Sequence, residues 1–180
     1  MNTSATSPTG LDFAALWVTA LPYPQFVREA EANRDLWAGV YRLARLPPWA
    51  RERMAARRGP VRLLAIAEDW CGDAVNTLPI LARLAAAYPE VELRVLGRDD
   101  HPDVMDQYLT NGTRSIPIVI VLDGDFLELG SWGPRPTALQ AWVMAHRRTL
   151  PKEERYREVR RWYAKDRGES TLREVLALIV

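Results

Sequence analysis

The chain has 180 residues, 48% of them hydrophobic and 26% charged, with a formal net charge of +1. That length and balance suit one globular unit able to bury a sizeable core, and exclude a low-complexity chain. Near-neutrality gives no overall field to draw the chain to nucleic acid or to a membrane surface, and a single cysteine, Cys71, excludes a disulfide framework within the chain.

Residues 1–10 are Ser/Thr-rich without a basic segment and read as a loose end. The apolar piece 13–21 is broken by Asp12, Thr19 and Pro22, which makes a poor signal peptide. No uninterrupted apolar run approaches membrane-spanning length. The expectation is a soluble cytoplasmic protein. Residues 24–46 carry apolar side chains at three- and four-residue spacing and predict a helix, ended by Pro47-Pro48. A short basic segment, 49–58, runs to Gly59-Pro60.

The period then changes. Val61–Ala67 (VRLLAIA) is a mostly apolar run of strand length, as expected for a strand buried on both faces. After Trp70-Cys71-Gly72-Asp73-Ala74 a helix is predicted up to Tyr88. Residues 91–96 predict a second strand, and 103–110 a short helix stopped by Asn111-Gly112. Ile118–Leu122 is β-branched, Asp123-Gly124-Asp125 signals a hairpin, and 126–132 predicts a fourth strand. Thr137 to Gln140 reads as a capping box opening a helix to about Thr149. Two more helices are predicted beyond Pro151, the last opened by a capping box from Thr171 to Glu174.

The order through the middle is β-α-β-α-β-β-α, an α/β fold. The expected layout is a single domain: a helical extension over 11–59, the core over 60–149, and a second helical extension over 150–180.

These residues resemble the thioredoxin superfamily over roughly half the chain. Trp70-Cys71-Gly72 stands between a buried strand and a helix, as in the family's WCGPC motif. Pro79 lies eight residues after the cysteine, where the family keeps a helix-kinking proline. Ser115-Ile116-Pro117 precedes a β-branched strand, as the family's cis-proline segment does, and a hairpin follows that leads into the last core helix. The resemblance implies a thioredoxin-like three-layer core, Cys71 as nucleophile, and backbone groups of Ser115, Ile116 and Pro117 beside the sulfur to hold an extended peptide or a thiol. Trp70, Gly72, Asp73 and Trp132 complete the expected substrate site. Physical chemistry agrees, because a helix N-terminus stabilises a thiolate and lowers its pKa.

The departures are equally informative. The family's second cysteine falls at Ala74, so a mixed disulfide on Cys71 has no resolving partner within the chain. The family's buried aspartate aligns with Ala65, and its lysine partner falls near Val95. Asp73, in place of the motif proline, either opposes a thiolate or serves as a helix-stabilising residue in the first turn. Asp69 adds a second negative charge. Arg114 and Arg135 lie in loops that this fold can bring toward the sulfur, and solvated loop cations are the alternative reading. His101 and His146, with one cysteine, give no usual metal spacing, and no zinc site is expected. The Arg-rich segments 51–58 and 155–167 read as solvated helix faces or a partner surface.

Three functions fit these residues. The first is a monothiol thiol–disulfide oxidoreductase acting on protein or low-molecular-weight mixed disulfides. It would need no cofactor beyond an external low-molecular-weight thiol as co-substrate. The second is a non-catalytic binding module that uses the cis-proline groove. The third is a redox sensor whose Cys71 forms an intermolecular disulfide or a sulfenic acid. Expected partners are a disulfide-containing protein or a small thiol, with homodimerisation left open and neither nucleic acid nor membrane involved.

Overall fold

A computed structural model describes residues 10–179, and the expectation for residues 1–9 lies outside them. The chain runs α1 (Phe13–Thr19), β1 (Leu21–Pro22), α2 (Tyr23–Glu29), α3 (Arg34–Leu43), α4 (Pro48–Ala55), β2 (Val61–Ala67), α5 (Gly72–Ala87) and β3 (Val91–Gly97). It continues with α6 (Pro102–Met105), β4 (Ile118–Leu122), β5 (Glu128–Trp132), α7 (Thr137–His146), α8 (Lys152–Asp166) and α9 (Glu169–Ile179).

The five strands form one sheet in the order β1-β3-β2-β4-β5. β2 and β3 are parallel and joined through α5, while β4 runs antiparallel to β2 and pairs with β5 in a hairpin. β2 is central, which explains its composition: every residue except Arg62 is buried. A strand covered on both faces has no use for alternating polar residues. Ala65 sits opposite Val95 on one side and Val119 on the other, so the middle of the sheet is apolar across three strands.

The structure corrects several of the sequence expectations and adds one strand. The helix predicted over 24–46 is two helices, because the Asp69 carboxylate accepts the backbone N–H groups of Glu31 and Ala32 at 2.7 and 2.9 Å and interrupts the helical ladder. Asn33 restarts the chain in a left-handed conformation, φ 57°. The apolar piece near the N-terminus contributes a helix and the two-residue edge strand β1, antiparallel to β3. The helix expected over 103–110 is one turn, since Thr110 and Thr113 pair with each other through their backbones.

Neither capping box forms. The Thr137 N–H is satisfied by the Glu174 carboxylate at 2.9 Å, and Thr171 lies buried inside α9 with an unpartnered hydroxyl. Asp166 instead caps that helix through Ser170. Finally, the last helix on the sheet is α9, not the segment 137–149. Leu172, Val175, Leu176 and Ile179 recur at helical spacing and join the main core, with α9 packed on β4, β5 and α5. Burying four such side chains contributes roughly 1.5–3 kcal/mol each. α7 and α8 pack on each other through a separate cluster of Leu139, Val159 and Tyr163.

Candidate functional site

β2 ends at Ala67, and the chain turns through Trp70 into α5. Cys71 is the N-cap of α5, with extended backbone, φ −77° and ψ 112°. Its Sγ accepts the Ala74 N–H at 3.5 Å. From the other side the Ile116 carbonyl oxygen lies 3.4 Å away, placed to accept the S–H. The Ile116–Pro117 peptide is cis, and β4 begins immediately after it. Pro79 lies inside α5. The structure therefore brings Cys71, Gly72, Ile116 and Pro117 together.

Gly72 leaves the first turn of α5 open, since a Cβ there would meet nothing within 4 Å. Trp70 flanks the site, 50% exposed, with the Arg98 guanidinium over its ring. Ser115 is half-buried and its hydroxyl bonds that of Thr113. Trp132 is buried at the end of β5, and its indole N–H donates to Glu174 at 2.7 Å.

Cys71 itself is only 6% exposed. Burial pushes its thiol pKa up, and the Asp73 charge adds to that, while backbone N–H groups of Ala74 and Asp73 and the Arg135 charge pull it down. The neighbours agree with this direction: an N–H suits either state of the sulfur, but the Ile116 carbonyl suits only the S–H. The resting group is a thiol.

Asp73 does not stand free beside it. Arg135 grips the Asp73 carboxylate through Nε at 2.9 Å and Nη2 at 2.7 Å, and the Tyr163 hydroxyl donates to Oδ1 at 2.8 Å. Arg135 also donates to Gln140 at 2.8 Å. Side-chain exposures of 12% for Asp73 and 19% for Arg135 put the pair out of bulk water. Burial, then the Asp73 charge, pushes the Tyr163 pKa well up. Asp73 is thus the anchor that ties the loop before α7, and α8, to the first turn of α5.

Of the two arginines marked by the sequence, only Arg135 reaches this site. Arg114 forms an exposed ion pair with Asp106 at 2.7 Å. The Asp69 carboxylate faces the N-terminal extension, where two N–H groups take it up. Tyr163 and Gln140 were invisible from sequence: Tyr163 lies 90 residues from Asp73 with no spacing to connect them. His101 caps α6 and His146 stacks on Trp142, and no cluster of three metal-ligating side chains occurs among the described residues. No helix among them is long and apolar enough to cross a membrane.

A family model described as thioredoxin matches residues 20–160, more than three quarters of the chain. The chain belongs to the thioredoxin family. Two solved structures are similar to this thioredoxin-family protein along nearly their whole length. One is a protein of unknown function from Pseudomonas aeruginosa, at 26% identity and a TM-score of 0.77, covering 94% of this chain and 97% of that one. The other is an HIV epitope scaffold, at 25% identity and a TM-score of 0.75, covering 94% and 98%. No curated protein matches.

A pH dependence follows from the Cys71 environment. Its folded pKa lies above that of the unfolded chain, where a thiol titrates near ~8.5. The resulting stability is fully present below that pH and is lost as pH rises through the folded value. In urea titrations from neutral to alkaline pH, wild type should lose stability relative to Cys71→Ala by up to about 1.4 kcal/mol per pH unit. A constant difference between the two curves would mean that the thiol titrates alike in both states.

Proposed function

We propose that this thioredoxin-family protein is a monothiol thiol–disulfide oxidoreductase that acts through Cys71. The observation that supports it is the placement of the sulfur at the N-cap of α5, held by the Ala74 N–H, opposite the Ile116 carbonyl and beside Pro117. Deprotonated Cys71 attacks the mixed disulfide between a protein and a small thiol. The Cys71–sulfur bond forms, the substrate S–S bond breaks, and the departing protein thiolate takes up a proton. A second small thiol, as thiolate, then attacks the new disulfide and releases Cys71, leaving a disulfide of the two small thiols. Two electrons pass from thiols to the protein disulfide. A second cysteine is not required, which accords with Ala74 in the motif. Such recycling needs a thiol-rich compartment, and we place the protein in the cytoplasm on that ground.

The lining supports a slow thiol that awakens on substrate binding. An extended peptide beside Ile116 and Pro117 would compete for the carbonyl that now faces the S–H, leaving only N–H donors on the sulfur.

Cys71→Ser should abolish reduction of a glutathionylated test protein in the presence of excess glutathione, while moving the thermal midpoint by no more than a degree or two. Activity retained in that variant would remove Cys71 from the mechanism. Ala74→Cys is a complementary test. The i, i+3 placement across the first turn of α5 should allow an intramolecular disulfide. The prereduced variant, freed of all small thiols, should then reduce insulin stoichiometrically and end as the intramolecular disulfide, where wild type stops at a mixed disulfide. Two thiols that stay unpaired under mild oxidant would contradict the geometry of that turn.

The burial of Cys71 and its raised pKa favour a second reading, a binding module that uses the same groove with the cysteine idle. A folded protein whose Cys71 resists alkylation even at alkaline pH, and with substrate peptide added, would support that reading over catalysis.

A further inference from the structure

A groove with a volume of about 560 Å³ runs between α3, α5 and α8. Its apolar wall is Leu36, Val40 and Leu43, one stripe of α3 at helical spacing. Ile80 of α5 forms the floor. Leu36 is 45% and Leu43 72% exposed, which is unusual for large aliphatic side chains that share one face. The opposite wall is polar in a single sense. Arg160 and Arg167, two turns apart on α8 and its C-cap, line it together with Tyr163. Neither guanidinium has a hydrogen-bond or ion-pair partner among the described residues, and no carboxylate lines the groove there.

This pairing of an aliphatic wall with an unmatched cationic rim is complementary to a molecule with an apolar body and one acidic head. The volume is in the range of small-molecule sites. We propose that the groove between α3, α5 and α8 binds an amphipathic carboxylate, with its alkyl chain on Leu36, Val40 and Ile80 and its head between Arg160 and Arg167. Cys71 does not line this groove, which meets the thiol site through Tyr163, the donor to Asp73.

The test is calorimetric titration of the full chain with decanoate, and with decyltrimethylammonium, both below their micellar concentrations. Decanoate should bind at one saturable site, at least tenfold tighter than the cation of equal chain length. Arg160→Glu/Arg167→Glu should reverse that preference. Leu43→Glu, at an exposed position that leaves the fold intact, should weaken decanoate at least tenfold, as should filling the slot with Val40→Trp. The proposal fails if decanoate does not saturate, if both charges bind equally, or if Leu43→Glu leaves its affinity unchanged. It fails also if the protein sediments as a dimer that Leu43→Glu dissociates, since the groove would then be covered by a second copy.

Discussion

Arg135→Met should destabilise the fold by about 3 kcal/mol, the lower end of the cost of removing one partner from a buried ion pair. The lower end applies because Asp73 and Arg135 keep some contact with water. The variant leaves the Asp73 carboxylate with the Tyr163 hydroxyl as its remaining side-chain donor and releases Gln140 as well. Asp73→Asn should be costly too, since it strands the guanidinium. The double variant Asp73→Asn/Arg135→Met should cost clearly less than the sum of the two, because neither charge is then left unpaired. Urea unfolding of the four proteins measures this directly, and strict additivity would show that the pair contributes no coupling.

The same variants separate structure from chemistry at Cys71. Arg135 pulls the thiol pKa down and Asp73 pushes it up. Arg135→Met should therefore slow alkylation at a given pH, and Asp73→Asn should speed it. Both variants destabilise, so a change in stability alone would move the two rates in the same direction.

The second large effect is expected at Gly133. This residue has φ +129°, a conformation that side-chain-bearing residues rarely adopt. A Cβ added there would stand 2.2 Å from the carbonyl oxygen of Pro117 and 3.2 Å from the Cα of Ile118. Both are backbone atoms, so no side-chain rotation relieves the contact. Gly133→Ala should cost at least about 3 kcal/mol, combining backbone strain with a displacement of β4. For a chain of this length that lowers the melting temperature by roughly 6–12 °C. Because Pro117 follows Ile116, the displacement should also disturb the carbonyl opposite Cys71. A melting curve superimposable on wild type would mean that this corner yields easily. Gly72→Ala, with open space around it, is the matched control.

The central fold was legible because its signals are local. Val61–Ala67 and Ile118–Leu122 are apolar runs at strand length, and Cys71 stands where a strand gives way to a helix. What escaped depends on distant partners. A two-residue strand such as Leu21–Pro22 has no periodicity, and only the β3 edge defines it. The break at Ala30 to Asn33 was hidden because the group that causes it, Asp69, lies 37 residues away from Ala32. Thr137 matched a capping pattern, but the carboxylate that takes its N–H is Glu174, 37 residues away; at Thr171 the pattern misled locally, since α9 starts two residues earlier and Asp166 caps it through Ser170. The role of Asp73 was ambiguous for the same reason: its sign and position were readable and Arg135 was one of two candidate cations, but nothing local chose Arg135 over Arg114 or pointed to the Tyr163 hydroxyl.

The separate packing of α7 and α8 carries a consequence for how the molecule comes apart. Their shared cluster of Leu139, Val159 and Tyr163 is not continuous with the core under the sheet. Units of that kind open as local foldons, at a free energy below that of global unfolding. An opening of this kind would take the Tyr163 hydroxyl off Asp73 without requiring β2, α5 or the Ile116–Pro117 segment to move. Opening would also take Gln140 from Arg135, so the hydrogen bonds that hold the charged pair beside the sulfur, and with them the reactivity of Cys71, should respond to substitutions in helices that never touch it.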